Sequence, residues 1–157
     1  MKTLQFFAAL TFISLIGLTS CSKKSDDVTP EPDATVGFSV KVDGKAYAPD
    51  YAYALASFPG NDLYYAIYGV DSKTNDVVAI ALPNTVKEGT VQINETNFAV
   101  MTLNKETFST INGGTGTVTI KKRTATYVSG TFNIVVMDPT GTKKLNLTEG
   151  SFNVNVR

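Results

Sequence analysis

The sequence predicts an all-β domain, a single antiparallel β-sandwich or flattened barrel of about nine to ten strands. Three observations predict it. Short alternating or apolar runs recur from residue 36 onward, each too brief for a helix. Turn residues separate the runs, as in Asp43-Gly44, Pro59-Gly60-Asn61-Asp62, Glu88-Gly89, Asn112-Gly113-Gly114 and Asp138-Pro139-Thr140-Gly141. No segment sustains the apolar period of about 3.6 residues that an amphipathic helix needs.

The elements follow in order. In 37–42, Phe38, Val40 and Val42 alternate with Ser39 and Lys41, which places the apolar set on one face. Runs 51–57 and 63–70 are rich in tyrosine, and 77–82 is a nearly continuous apolar run. Strands are expected at 90–94 and 98–103. Residues 104–111 suit one helical turn or a strand, since Thr107, Phe108 and Thr110 favour extended backbone. Further strands are expected at 115–122, 129–137, 144–147 and 151–156, with Glu149-Gly150 as a turn between the last two. One phrase recurs, in Gly89-Thr90-Val91-Gln92-Ile93, Gly116-Thr117-Val118-Thr119-Ile120, Gly130-Thr131-Phe132-Asn133-Ile134 and Gly150-Ser151-Phe152-Asn153-Val154. Two bulky apolar residues flank a polar one, as a half-buried strand requires. The irregular spacing argues for repeated hairpins, not a solenoid.

The chain divides into 1–20, 21–35 and 36–157. Lys2, the apolar run from Leu4 to Leu18 and the small residues before Cys21 have the form of a secretory signal peptide. Leu18-Thr19-Ser20-Cys21 resembles the bacterial lipobox. That resemblance implies cleavage before Cys21 and a diacylglycerol on its thiol. Cys21 is the only cysteine, so 36–157 has no internal disulfide. Residues 21–35 are polar, with Pro30 and Pro32, and read as a flexible tether. Their start, Cys21-Ser22-Lys23-Lys24-Ser25-Asp26-Asp27, is similar to the export tag of Bacteroidota surface lipoproteins. The expected location is the outer membrane, facing outward, with a periplasm-facing position as second choice.

The segment Gly37-Phe38-Ser39-Val40-Lys41-Val42-Asp43-Gly44-Lys45-Ala46-Tyr47 resembles the opening of small Bacteroidota lipoproteins of unknown function. The strands around Gly116, Gly130 and Gly150 resemble that family's closing strands. The resemblance implies location and fold, and it brings no activity.

Composition narrows the chemistry. Lys plus Arg equals Asp plus Glu, 14 against 14, so no basic face for nucleic acid is expected. Lys121-Lys122-Arg123, the one basic cluster, reads as a charged strand end that discourages edge pairing. Histidine is absent, which removes the commonest general base and zinc ligand. Lipidation consumes the only thiol, and no Gly-x-Ser-x-Gly elbow occurs. The carboxylates fall almost entirely in turns, where none has the desolvated pocket of a catalytic acid. The loop Asp71-Ser72-Lys73-Thr74-Asn75-Asp76 carries a lysine inside any calcium site. The expectation is therefore no enzyme, no metal and no cofactor.

The candidate ligand-binding residues are Tyr47, Tyr51, Tyr53, Tyr64, Tyr65 and Tyr68, crowded into the first third of the domain. Tyrosine joins an apolar ring to a polar tip, which suits a wet recognition surface. The pattern predicts Tyr51 and Tyr53 on one strand face, and Tyr64 and Tyr68 on another. Ala52, Ala54, Ala56, Ala79, Ala81 and Ala99 form the opposite positions, expected to be a small-residue face under a second layer or a contact surface. The function expected from these features is a non-catalytic binding or accessory module for glycan, peptide or envelope protein. The alternative is a structural or interaction subunit of an envelope complex.

Overall fold

The computed structural model describes residues 37–57 and 63–157. These lie in one compact unit, Asp33–Arg157. The expected signal peptide, Cys21, the tether and the turn at 59–62 lie outside the described residues.

Eleven strands form among them: β1 Gly37–Val42, β2 Lys45–Tyr47, β3 Tyr51–Leu55, β4 Tyr64–Val70, β5 Val77–Pro83, β6 Gly89–Ile93, β7 Phe98–Leu103, β8 Glu106–Ser109, β9 Thr115–Arg123, β10 Tyr127–Met137 and β11 Lys144–Asn155. They make one antiparallel sheet in the order β2-β1-β11-β10-β8-β7-β5-β4-β3, with β9 on β10 and β6 on β9. The sheet is folded over at β10. That strand pairs with β9 and β11 along its length and reaches β8 through a single pair, Met137 with Ser109. The two halves then face each other. A Cβ on Gly69 of β4 would lie 2.6 Å from the Phe38 ring of β1, in the opposite half. At the far side Ala54 makes one parallel bridge to Val156, and the sheet is not closed into a barrel.

The core is continuous between the halves. Phe38, Val40, Phe132, Ile134, Phe152 and Val154 enter from one side, and Ile67, Val78, Ile80, Leu82 and Met101 from the other. Two glycine–phenylalanine pairs interlock in its centre: Gly130 stands opposite Phe152, and Phe132 opposite Gly150. Each ring lies over the partner strand's glycine, where a Cβ would meet ring carbons at 2.5 Å. Bare backbone is required there because the ring occupies the side-chain position.

Three differences from the expected strands have local causes. Asp43 (φ 46) and Gly44 (φ 81) form a hairpin turn with two left-handed residues, which adds β2. Asn104 (φ 50) and Lys105 (φ 69) make a second such turn without glycine, and it adds β8. The Asn104 N–H donates to the Asp76 carboxylate at 2.8 Å and holds that turn. Residues 104–111 thus contain strand β8, followed by the 3₁₀ turn Thr110–Asn112. Third, Glu149-Gly150 is no turn. Glu149 (φ 51) is a bulge inside β11, with register shifts beside it on both partner strands. The expected strands 144–147 and 151–156 are therefore one.

The two outer faces differ. Ser39, Ser151, Thr131, Thr119 and Thr90 stand side by side across β1, β11, β10, β9 and β6, giving a polar face. The outer face of the other half is apolar, and it carries Tyr51, Tyr53, Tyr64 and Tyr68.

Candidate binding face

β3, β4, β5 and β7 are neighbours in that order, and their register sets three rows on the outer face. The rows are Tyr51-Val70-Val77-Thr102, Tyr53-Tyr68-Ala79-Val100 and Leu55-Ala66-Ala81-Phe98. The interleaved rows, Ala52-Gly69-Val78-Met101 and Ala54-Ile67-Ile80-Ala99, point into the core. Three outer rows of four residues contain no charged side chain. A solvated antiparallel sheet normally alternates apolar inward with polar outward.

Three of the tyrosines come together. The Tyr53 and Tyr68 rings stack at 5.0 Å and 18°, and Tyr51 lies 5.3 Å from Tyr53 at 50°. Tyr51 is the most open, at 42 % exposure, while Tyr53 and Tyr68 are half-buried. Burial, and then the neighbouring Tyr53, push the Tyr68 hydroxyl upward. Arg157 lies across this cluster, its guanidinium carbon 4.8 Å from the Tyr51 centroid and 5.2 Å from Tyr53. It also donates to the Tyr51 hydroxyl. Its backbone N–H donates to the Ala54 carbonyl at 2.9 Å, which fixes where the side chain starts. Sequence reasoning missed Arg157, because it reaches Tyr51 from 106 residues away with no local signal.

The other tyrosines serve differently. Tyr64 shares the outer face and packs on Phe98 at 5.7 Å. Tyr51 and Tyr53 share a face of β3 and Tyr64 and Tyr68 share a face of β4, as the alternation predicts, and the register puts both pairs on the same side of the sheet. Tyr47 donates to the Asp76 carbonyl at 2.9 Å, and burial pushes its hydroxyl up to about 12. Tyr65 points into the core at 1 % exposure, with its hydroxyl unpartnered and pushed by burial to about 12. Arg123 covers the Tyr65 ring at 4.4 Å and donates to the Val86 carbonyl and, at 2.8 Å, to the Asn84 carbonyl. Lys121 and Lys122 are exposed at the end of β9, as the sequence predicts, while Arg123 adds a clamp on the β5–β6 loop.

The single alanine face is corrected too. Ala54 and Ala99 are buried in the core, Ala79 lies in the row of Tyr53 and Tyr68, and Ala81, on that same outer side beside Phe98, is itself buried. Both faces of β3, β4 and β5 are apolar, so alternation alone could not orient them.

The turn carboxylates are occupied locally. Asp71 accepts from the Lys73 and Thr74 N–H groups, and Asp50 accepts twice from Ser72, which lowers its pKa. Among the described residues no three His, Cys, Asp or Glu side chains stand together as a metal site. A cleft of about 500 Å³ lies between the β7–β8 turn and the start of β11, lined by Leu103, Phe108, Leu145 and the Glu106–Lys143 ion pair. It holds no tyrosine.

No curated protein and no solved structure matches the chain. A family model does match, over residues 34–155, a span that contains all eleven strands and the six candidate tyrosines. Arg157 lies just beyond it. The chain belongs to the family described as a domain of unknown function, DUF6252.

Proposed function

We propose that this chain is a non-catalytic binding module that takes a glycan on the Tyr51–Tyr53–Tyr68 face, and that a lipid on Cys21 holds it to the outer membrane, facing outward. The observation that carries the binding reading is the charge-free outer face of β3, β4, β5 and β7, with three clustered rings and an arginine at its edge. Aromatic residues and Arg are enriched, and Lys, Glu and Asp depleted, at recognition surfaces. A tyrosine ring stacks on the C–H face of a sugar, and its hydroxyl bonds a sugar hydroxyl. Lipidation is supported by Leu18-Thr19-Ser20-Cys21 directly after an apolar run. The same motif and the Lys-and-acid stretch after Cys21 support an origin among Bacteroidota surface lipoproteins.

A second reading, a docking subunit of an envelope complex, is favoured by the breadth of the apolar face, which extends past the rings to Val77, Val100 and Phe98. Thermal unfolding separates the two. A panel of oligosaccharides and peptidoglycan fragments is titrated against the protein. A ligand at a hundred times its dissociation constant adds about 2.7 kcal/mol, a rise of several degrees. The glycan reading requires a dose-dependent rise that Y53A and Y68A abolish. A flat response to every sugar would favour the docking subunit. Cys21→Ala should prevent incorporation of a labelled fatty acid in cells, and persistent labelling would refute the anchor.

A further inference from the structure

We infer that Arg157 is the selecting group of this face and that the ligand is an acidic glycan, with a carboxylate on its sugar ring. The inference rests on the reading of the tyrosine face as a glycan site.

The chain has two arginines, and both lie over tyrosine. Their remaining valences differ. Arg123 spends one terminal nitrogen on the Val86 carbonyl and the other on the Asn84 carbonyl, both in the β5–β6 loop. Arg157 stands at the outer face, bonds the Tyr51 hydroxyl, and makes no ion pair among the described residues. A guanidinium has five N–H donors and keeps its charge throughout the accessible pH range. Two ring faces hold this one in place, so much of its side-chain entropy is already lost. Asp50, the carboxylate next in sequence to Tyr51, is committed to Ser72 through both oxygens, at 2.8 and 2.6 Å. No Asp or Glu side chain pairs with Arg157 among the described residues, and a guanidinium fork matches a carboxylate bidentately.

The geometry favours a sugar over a peptide as the carrier. A peptide most simply joins a sheet by adding a strand to its edge. That edge of β3 is taken at Ala54, by the bridge to Val156 and the N–H of Arg157. Tyr53 and Tyr68 stack on each other and Arg157 lies over Tyr51 and Tyr53, so the exposed flank of Tyr51 remains, and it suits the C–H face of a pyranose with its carboxylate on Arg157.

The test is calorimetric titration of the full chain in detergent with oligogalacturonate and oligoglucuronate, each compared with its neutral methyl ester. The acids are expected to bind at least about tenfold tighter than the esters. Arg157→Gln should reduce the acids to the level of the esters in a protein that still unfolds cooperatively. Arg157→Lys, which keeps charge without the fork, should recover part of the difference. Equal binding of acid and ester would overturn the selection by Arg157 and leave the glycan face standing. Binding of neither, in a folded protein, would overturn the face and the inference with it. Binding of poly-glutamate as tight as the uronates, and equally lost in Arg157→Gln, would overturn the sugar as carrier.

Discussion

Gly150→Ala is the most informative single change in the core. The added methyl would lie 2.5, 2.5 and 2.6 Å from three carbons of the Phe132 ring. Ordinary contact begins at 3.4 Å, so the overlap approaches 1 Å on each. Gly150 is outside the left-handed region, so the effect is overlap and not backbone strain. The ring has little room to yield. Phe38 lies 5.4 Å and Phe152 6.3 Å from it, and Phe38 is itself pressed against Gly69. Overpacking of this kind costs about 1–3 kcal/mol, and the closed surroundings place it near the upper end. In urea unfolding that is a midpoint loss of about 1–2 M, given a slope of roughly 1–3 kcal/mol/M. Phe132→Val removes the clashing carbons, at roughly 2–4 kcal/mol of its own, somewhat less than truncation to Ala. In that background the Gly150→Ala substitution should be nearly free. The double-mutant cycle should therefore show coupling of at least about 1 kcal/mol, beyond the ~0.3–0.5 kcal/mol within which independent sites add. If Gly150→Ala costs the same with and without Phe132, the interlocked pair is not what organises this core.

Other consequences are as direct. Arg123→Ala removes the donors to Asn84 and Val86 and the cation over Tyr65, and should lower stability by about 1.5–3 kcal/mol. Arg123→Lys should not restore it, because a point charge lacks the two-pronged geometry; full recovery by Lys would show that charge alone mattered. The two deep phenols should respond oppositely to loss of the hydroxyl. Tyr65→Phe removes an unpartnered buried group and should be neutral or stabilising, whereas Tyr47→Phe forfeits the bond to Asp76 and should destabilise by about 1 kcal/mol. In alkaline difference spectra Tyr47 and Tyr65 should ionise at about 12, above the ordinary 10. Their folded values exceed the ordinary 10, so their titration takes nothing from stability below about pH 10 and lowers it as pH rises toward 12. Early ionisation of either would contradict its burial. At the acid end, hydrogen bonds from the Thr140 hydroxyl and from the Lys143 and Thr142 N–H groups hold Asp138 at about 2. That value is depressed, so its contribution is complete above about pH 4 and is lost as pH falls through 2. The midpoint of Asp138→Ala should therefore fall less steeply than the parent's between pH 4 and 2, and parallel curves would argue against the turn.

The class of fold, most strand positions and the tyrosine-bearing segment were legible in the sequence because they depend on local rules. A two-residue period defines a strand, and Gly, Asn and Asp mark where it stops. β1 and β7 run over 37–42 and 98–103, as the alternation predicts. The exceptions are places where a partner strand overrides the local signal. Glu149-Gly150 has the composition of a turn, yet β1 and β10 pair with the chain before and after it, so it makes a bulge and the strand continues. Asn104-Lys105 lacks glycine, yet a carboxylate from residue 76 holds its turn. Alternation also leaves one choice open wherever both sides of a strand are apolar. In β3, β4 and β5 either face was fit for burial, and the opposing half of the sheet decided that Ala54, Ile67 and Ile80 turn inward while Tyr53, Tyr68 and Ala79 turn out. The arrival of Arg157 on Tyr51 belongs to the same class. Its position follows from the bridge between Ala54 and Val156, a contact across most of the domain that only the folded chain brings about.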